Sequence, residues 1–186
     1  PRARRRSLAR ARGCVLDTFR RRSSWSRQTV RGELTNTVYK NPESVLVVVH
    51  TRDLQVLLLE RARQPGYWQS VTGSLEPGES PDQAAWRELE EETGLTSNDG
   101  VLRPWKLCNR FEILPLWRDR YAPGVTTNLE HVFSCCVQLP LAVRLSAEEH
   151  RAQSWADWKT AAERCFSWTN QDAIRMLPLL MQAAPR

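Results

Sequence analysis

Glu88, Glu91 and Glu92 crowd into the run Arg87-Glu88-Leu89-Glu90-Glu91-Glu92. On a helix turning about 100° per residue they share one narrow stripe, and like charges so placed cost about 0.2–0.5 kcal/mol per pair. A solvated acidic face is the ordinary meaning of such a cluster. The alternative is a cation that offsets the repulsion. Arg87, four residues before Glu91, can pair with it and leave Glu88 and Glu92 one turn apart as oxygen ligands. Hard ligands of this kind suit Mg²⁺ or Mn²⁺, which bind through carboxylates together with substrate phosphates. The chemistry indicated is metal-assisted attack on a phosphoanhydride bond.

Such a stripe needs a helix to carry it. Ser80-Pro81-Asp82-Gln83 is a strong helix start, with Ser80 as cap, Pro81 in the first turn and Gln83 completing a capping box, and Gly94 is a stop. The spacing predicts a helix over 80–92 whose apolar face is Ala85, Trp86 and Leu89. Residues 45–49 and 56–59 read as strands joined by a turn at Arg52-Asp53, residues 68–72 as a short strand feeding Gly73, and 131–139 as another strand. Helical patterns follow at 158–165 and 169–184, the second interrupted by Pro178, which lacks a backbone donor. Strands and helices are mixed, with no internal repeat, an α/β pattern.

The 186-residue chain suffices for one domain with its own core. No apolar run reaches the length of a membrane-spanning helix, and 45–49 has the length of a buried strand. The five cysteines, Cys14, Cys108, Cys135, Cys136 and Cys165, form neither a CxxC pair nor a secreted-domain framework, which points to a reducing cytoplasm. Cys135 and Cys136, adjacent in an apolar segment, read as core filler.

The net charge of +6 raises the question of nucleic acid, but its distribution answers it. Residues 1–34 hold 11 arginines against Asp17 and Glu33; with +9 there out of +6 in total, residues 35–186 carry −3. Residues 1–34 therefore read as a basic, disordered leader: a transit segment, a nucleic-acid arm or, since the chain begins with Pro1, an upstream extension foreign to the natural protein. The catalytic domain is expected over 35–186, with nucleic acid not expected as its partner.

Gly73, five residues, Glu79, seven residues, Arg87-Glu88-Leu89, one residue, Glu91-Glu92, one residue and Gly94-Leu95 match the Nudix box at every defined position. The resemblance implies the Nudix fold, an α/β/α sandwich around a mixed sheet with the box as a loop-helix-loop, and Mg²⁺-dependent hydrolysis of a nucleoside diphosphate linked to another group, Mn²⁺ being able to substitute. Segments beyond the box, Val38-Tyr39-Lys40-Asn41-Pro42, Tyr67 to Ser74, Arg120-Tyr121-Ala122-Pro123 and Ser167-Trp168-Thr169-Asn170, resemble the bacterial dihydroneopterin triphosphate diphosphatases of that family, which serve folate biosynthesis.

Carried over by position, this resemblance implies Glu88, Glu92 and Glu149 as metal ligands, Glu148 being the neighbouring alternative to the last. Lys40, Arg61, Thr72, Phe111, Glu112, Ile113, Leu114, Glu149 and Ser167 would contact a small-molecule triphosphate. Lys40 and Arg61 would neutralise phosphate charge, and a carboxylate base would take a proton from the attacking water, Glu91 first and Glu149 second. With Arg87, Glu88 and Glu92 these form the expected catalytic group. Trp68 or Phe111 could stack on a pterin; a purine would fit almost as well, so side activity on triphosphates such as dATP is expected. The box alone equally allows a pyrophosphatase that sanitises oxidised dGTP. A non-catalytic nucleotide- or RNA-binding domain is disfavoured because all the box glutamates are present.

Overall fold

The computed structural model describes residues 39–183, so the expected leader lies outside the described residues. Seven strands form one mixed sheet: β1 (Glu43–Thr51), β2 (Gln55–Arg61), β3 (Trp68–Gln69), β4 (Val71–Ser74), β5 (Gly100–Glu112), β6 (Thr127–Val137) and β7 (His150–Asp157). Three α-helices flank it, α1 (Pro81–Thr93), α2 (Trp158–Arg164) and α3 (Trp168–Ala183), with a short 3-10 helix at Pro115–Arg120. The β3-β2-β1-β6-β5 path is extended by β4 on β1 and β7 on β2. Among the pairings of the described strands, only β1–β6 is parallel.

The unbroken apolar run in β1 follows from burial on both faces, as in the covered strands of layered α/β folds. Val45, Val47 and Val49 pack with Ala84, Ala85 and Leu89 of α1. Leu46 and Val48 pack on the other side with Ala161 and Ala162 of α2 and Ile174 and Leu177 of α3. The result is the expected α/β/α sandwich.

Several elements depart from the sequence reading. The expected 68–72 strand splits at Ser70: β3 pairs with β2, whereas β4 pairs with β1. β1 and β2 meet at His50↔Val56, across the Arg52-Asp53 turn. β6 starts at Thr127 rather than at 131, because its polar first half, Asn128 and Glu130, is buried. α3 runs through Pro178 as one element; a missing donor removes one hydrogen bond, while Ile174 and Leu177 stay anchored in the core. In α1 the buried position expected for Trp86 belongs to Ala84, and Trp86 is half-buried outside both cores. Cys135 is core, its thiol pushed up to about 12 by burial, whereas Cys136 faces the other way and is only half-buried.

Candidate active site

α1 begins as its sequence dictates. Ser80 Oγ accepts from Gln83 N at 3.3 Å, and Gln83 Oε1 accepts from Ser80 N at 2.9 Å. Gly94 ends the helix in the left-handed region (φ 74°), donating its N–H to Glu90 O. Between these caps the glutamates divide: Glu88 and Glu92 are buried, 8% and 1% exposed, and Glu91 is exposed.

Arg87 does more than pair with Glu91, the single partner expected from spacing. Its Nε and Nη2 form a two-pronged bridge to Glu79, each at 2.9 Å, and Nη2 also donates to Ser74 O at 3.0 Å. Its Nη1 reaches Glu88 at 2.8 Å and Glu91 at 3.0 Å. Glu79 in turn accepts from Glu76 N at 2.8 Å. Charge-assisted forks of this kind are geometrically exacting, so one guanidinium ties the loop after β4 to α1.

On β4, Val71 and Gly73 face α1, and Glu88 lies directly against Gly73. A Cβ at that glycine would stand 1.7 Å from the Glu88 carboxyl carbon. Burial pushes the Glu88 carboxyl up to about 7, the ion pair with Arg87 pulling the other way. Burial likewise raises Glu92, opposed by His150.

Glu92, Glu149 and His150 bring one ligand atom each to within 4.8 Å of one another. His150 Nε2 is 3.1 Å from Glu92 Oε2, but off the hydrogen-bonding direction, so both Glu92 oxygens lack an aligned donor among the described residues. A buried carboxylate left without a donor costs free energy unless a cation or proton satisfies it. The donor set of two carboxylates and an imidazole thus fits a divalent cation. Glu149, rather than Glu148, joins the cluster; the backbone positions it, since its N–H donates to Ser146 O at 3.1 Å and its carbonyl accepts from Ala62 N at 2.8 Å.

A cavity of about 770 Å³ runs from Glu92, Glu149 and His150 across the sheet to α3. Lys40, Arg61, Thr72, Phe111, Glu112, Ile113, Leu114, Glu149 and Ser167, the expected contact residues, all line it. Arg87, Glu88 and Glu91 do not; they stand behind or beside it. Trp68 is also absent from the lining: it packs against the α2–α3 core beneath Arg164, whose guanidinium carbon is 4.2 Å from its ring. Phe111 therefore remains of the two expected stacking residues, and Trp117 and Phe166 join it.

Four cations line the cavity, Lys40, Arg61, Arg63 and Arg120, of which Arg63 is exposed. Arg61 donates to Gln69 Oε1 at 2.6 Å, and Gln69 Nε2 donates to Thr72 Oγ1 at 3.1 Å, a relay that aims the guanidinium while Trp117 supports it at 5.1 Å. Lys40 keeps an exposed surface, yet the packed cavity wall desolvates its ammonium and lowers its pKa, with Arg120 adding to the effect. Ser167 caps α3 by accepting from Asn170 N at 3.4 Å and Nδ2 at 2.8 Å, so its cavity position and its capping coincide.

Arg120, His150, Asn128 and Glu130 were not singled out from sequence. Arg120 opens the segment Arg120-Tyr121-Ala122-Pro123 and His150 stands beside Glu149, but no local pattern marks Asn128 or Glu130.

A sequence profile of the NUDIX domain matches residues 40–177. Dihydroneopterin triphosphate diphosphatase of Escherichia coli strain K12 is 44% identical over 147 residues, 76% of this chain and 95% of that protein. The Haemophilus influenzae protein of the same name is 42% identical over 140 residues, 74% of this chain and 87% of that one. The structure of the E. coli dihydroneopterin triphosphate pyrophosphohydrolase superposes with a TM-score of 0.72 at 40% identity, covering 77% and 99% of the two chains. With a complete box carried on its α1 helix and a profile match over most of its length, this chain belongs to the Nudix hydrolase family.

Proposed function

We propose that this chain hydrolyses 7,8-dihydroneopterin 3'-triphosphate to dihydroneopterin monophosphate and pyrophosphate, in the cytoplasm and in support of folate biosynthesis, with Mg²⁺ as the resident cation. The observation that carries this reading is one cavity that joins an acidic cluster, four cations and a polar, ring-sized recess. Proteins named for that reaction share 42–44% identity with the chain over most of its length. Purine nucleoside triphosphates such as dATP are side substrates.

Lys40, Arg61 and Arg120 bind the triphosphate and spread its charge, which otherwise repels an attacking water. Glu92 and Glu149, with Glu88 behind them, would hold the divalent cation; Mn²⁺ would also suit a set that includes His150. When bound, that ion supplies Lewis-acid stabilisation of charge developing on the phosphate oxygens. Glu149 is the better-placed base for the water's proton, since Glu91 is ion-paired to Arg87 and outside the cavity. Accordingly, Glu149→Gln, which removes both a cation ligand and a base, should lower kcat by about a hundredfold or more, and Glu91→Gln by much less. Equal losses measured by pyrophosphate release would reassign the base.

The substrate reading is tested by parallel turnover of dihydroneopterin triphosphate, dATP and oxidised dGTP with Mg²⁺, separating pyrophosphate from phosphate. The pterin should have the highest kcat/KM and yield pyrophosphate. A clear preference for oxidised dGTP would replace this reading with nucleotide sanitation.

A further inference from the structure

The far end of the cavity holds a buried group that hydrolysis of a phosphoanhydride does not require. Asn128 and Glu130 occupy alternate positions of β6, 2% and 4% exposed, and both line the cavity. They lie on the α2–α3 face of the sheet, as does Val132 two residues on. The β1–β6 and β5–β6 registers flank them with Ser44 and Phe111. From β4 to β6 is two strand spacings, roughly 10 Å, which separates them from the triphosphate end by about the length of a fused bicyclic ring and its linker.

Their hydrogen bonds leave acceptors over. The Asn109 amide donates to the Glu130 carboxylate at 3.4 Å, and the nearby Thr169 hydroxyl favours the charged form of that carboxylate against the burial that raises its pKa. A carboxylate has about four lone-pair sites, so capacity remains. Asn128 Nδ2 donates to Ser44 Oγ at 2.6 Å, whereas Asn128 Oδ1 is buried without a donor among the described residues. Asn170, also in the lining, is already committed: its Oδ1 accepts from Ser70 N at 2.7 Å and its Nδ2 donates to Ser167. What is left facing the cavity is an array of acceptors calling for a ligand edge made of donors.

We propose that Glu130 and Asn128 read the 2-amino-4-oxopyrimidine edge that pterins share with guanine. The Glu130 carboxylate accepts from ring N3–H and one amino hydrogen, and Asn128 Oδ1 accepts the other. For the pterin this rests on the substrate assignment above, and it names the residues that make the choice. An adenine edge offers one amino group beside a ring nitrogen that is itself an acceptor, so it satisfies fewer of these groups and leaves one facing a lone pair. Adenine triphosphates are thus the weaker substrates. Buried acceptors left unpaired are the strongest source of discrimination against an analogue that lacks the donor.

The test compares dGTP with dITP, which lacks the 2-amino group, as substrates and as competitors of the favoured triphosphate. On the unaltered protein dITP should bind more weakly than dGTP by about tenfold or more, because it loses one charge-assisted hydrogen bond to Glu130 and a neutral one to Asn128. In Glu130→Gln that preference should shrink by about threefold or more, Asn128 still accepting one amino hydrogen, and KM for dihydroneopterin triphosphate should rise about tenfold or more, the loss falling on KM rather than kcat. Equal binding of dGTP and dITP by the unaltered protein overturns the proposal without any variant having to fold. A folded Glu130→Gln protein that keeps the preference undiminished overturns it too. If the unaltered protein prefers dGTP to dITP yet leaves the pterin triphosphate uncleaved, the edge recognition stands and the substrate assignment falls.

Discussion

Gly73→Ala is expected to reduce turnover by about a hundredfold or more while the domain stays folded, because misplacing a catalytic group by about 1 Å is enough to cost that much. The added methyl carbon would stand 1.7, 1.8 and 2.2 Å from the Glu88 carboxyl carbon and oxygens. Glu88 is 8% exposed and held at 2.8 Å by Arg87, so its carboxylate has no open space to enter without breaking that bridge. The clash is with the end of a side chain, not with backbone, so β4 keeps its pairing to β1. Overpacking of this kind costs about 1–3 kcal/mol, a Tm loss of about 2–12 °C for a domain of this size. Thermal melts and initial rates of pyrophosphate release check both parts. Activity within threefold of the parent would show that the close approach has no catalytic importance.

Glu92→Gln should be the most damaging single change to activity, lowering kcat by about a thousandfold, on the scale of losing a principal charge-stabilising contact. Its effect on stability has the opposite sign. Glu92 is 1% exposed, burial raises its carboxyl, and its oxygens lack aligned donors among the described residues. An amide of the same shape removes that buried charge, so in EDTA the variant should melt no lower than the parent. Adding Mg²⁺ should raise the parent's Tm through binding to the folded state and leave the variant's unchanged. An equal Mg²⁺-induced rise in both proteins would remove Glu92 from the cation site, whatever the activity.

The helix and its caps were legible because they are local: Ser80, Gln83 and Gly94 act within a turn of their own positions. β1 was legible because double burial leaves an unbroken apolar run. β5 and β7 were not. Among the described residues β5 pairs only with β6; it contains Pro104 and carries an irregularity between Pro104 and Cys108 with Lys106 at φ 57°. β7 reads His-Arg-Ala-Gln-Ser-Trp-Ala-Asp, without a β-branched residue, and is held by its pairing to β2. Tertiary pairing decides such strands, not local preference.

The same division holds for the site. The box residues act through one segment, so spacing revealed them. His150 meets Glu92 across 58 positions of chain, and Glu130 meets Thr169 across 39; neither encounter leaves a periodic trace. Arg87 was read as the partner of Glu91, whereas its main hold is on Glu79, eight residues away and before the helix. Helical geometry could suggest the first pairing and not the second.

The two cores on opposite faces of the sheet carry a practical consequence for altering this protein. The box helix rests on one core, and α3, with the polar recess of β6, rests on the other. Changes on separate faces with no shared partners tend to act additively. Ring preference can therefore be rebuilt through β6 and α3 while the bond-cleaving apparatus keeps its own foundation. Such a division lets one scaffold be re-aimed at new triphosphates piece by piece.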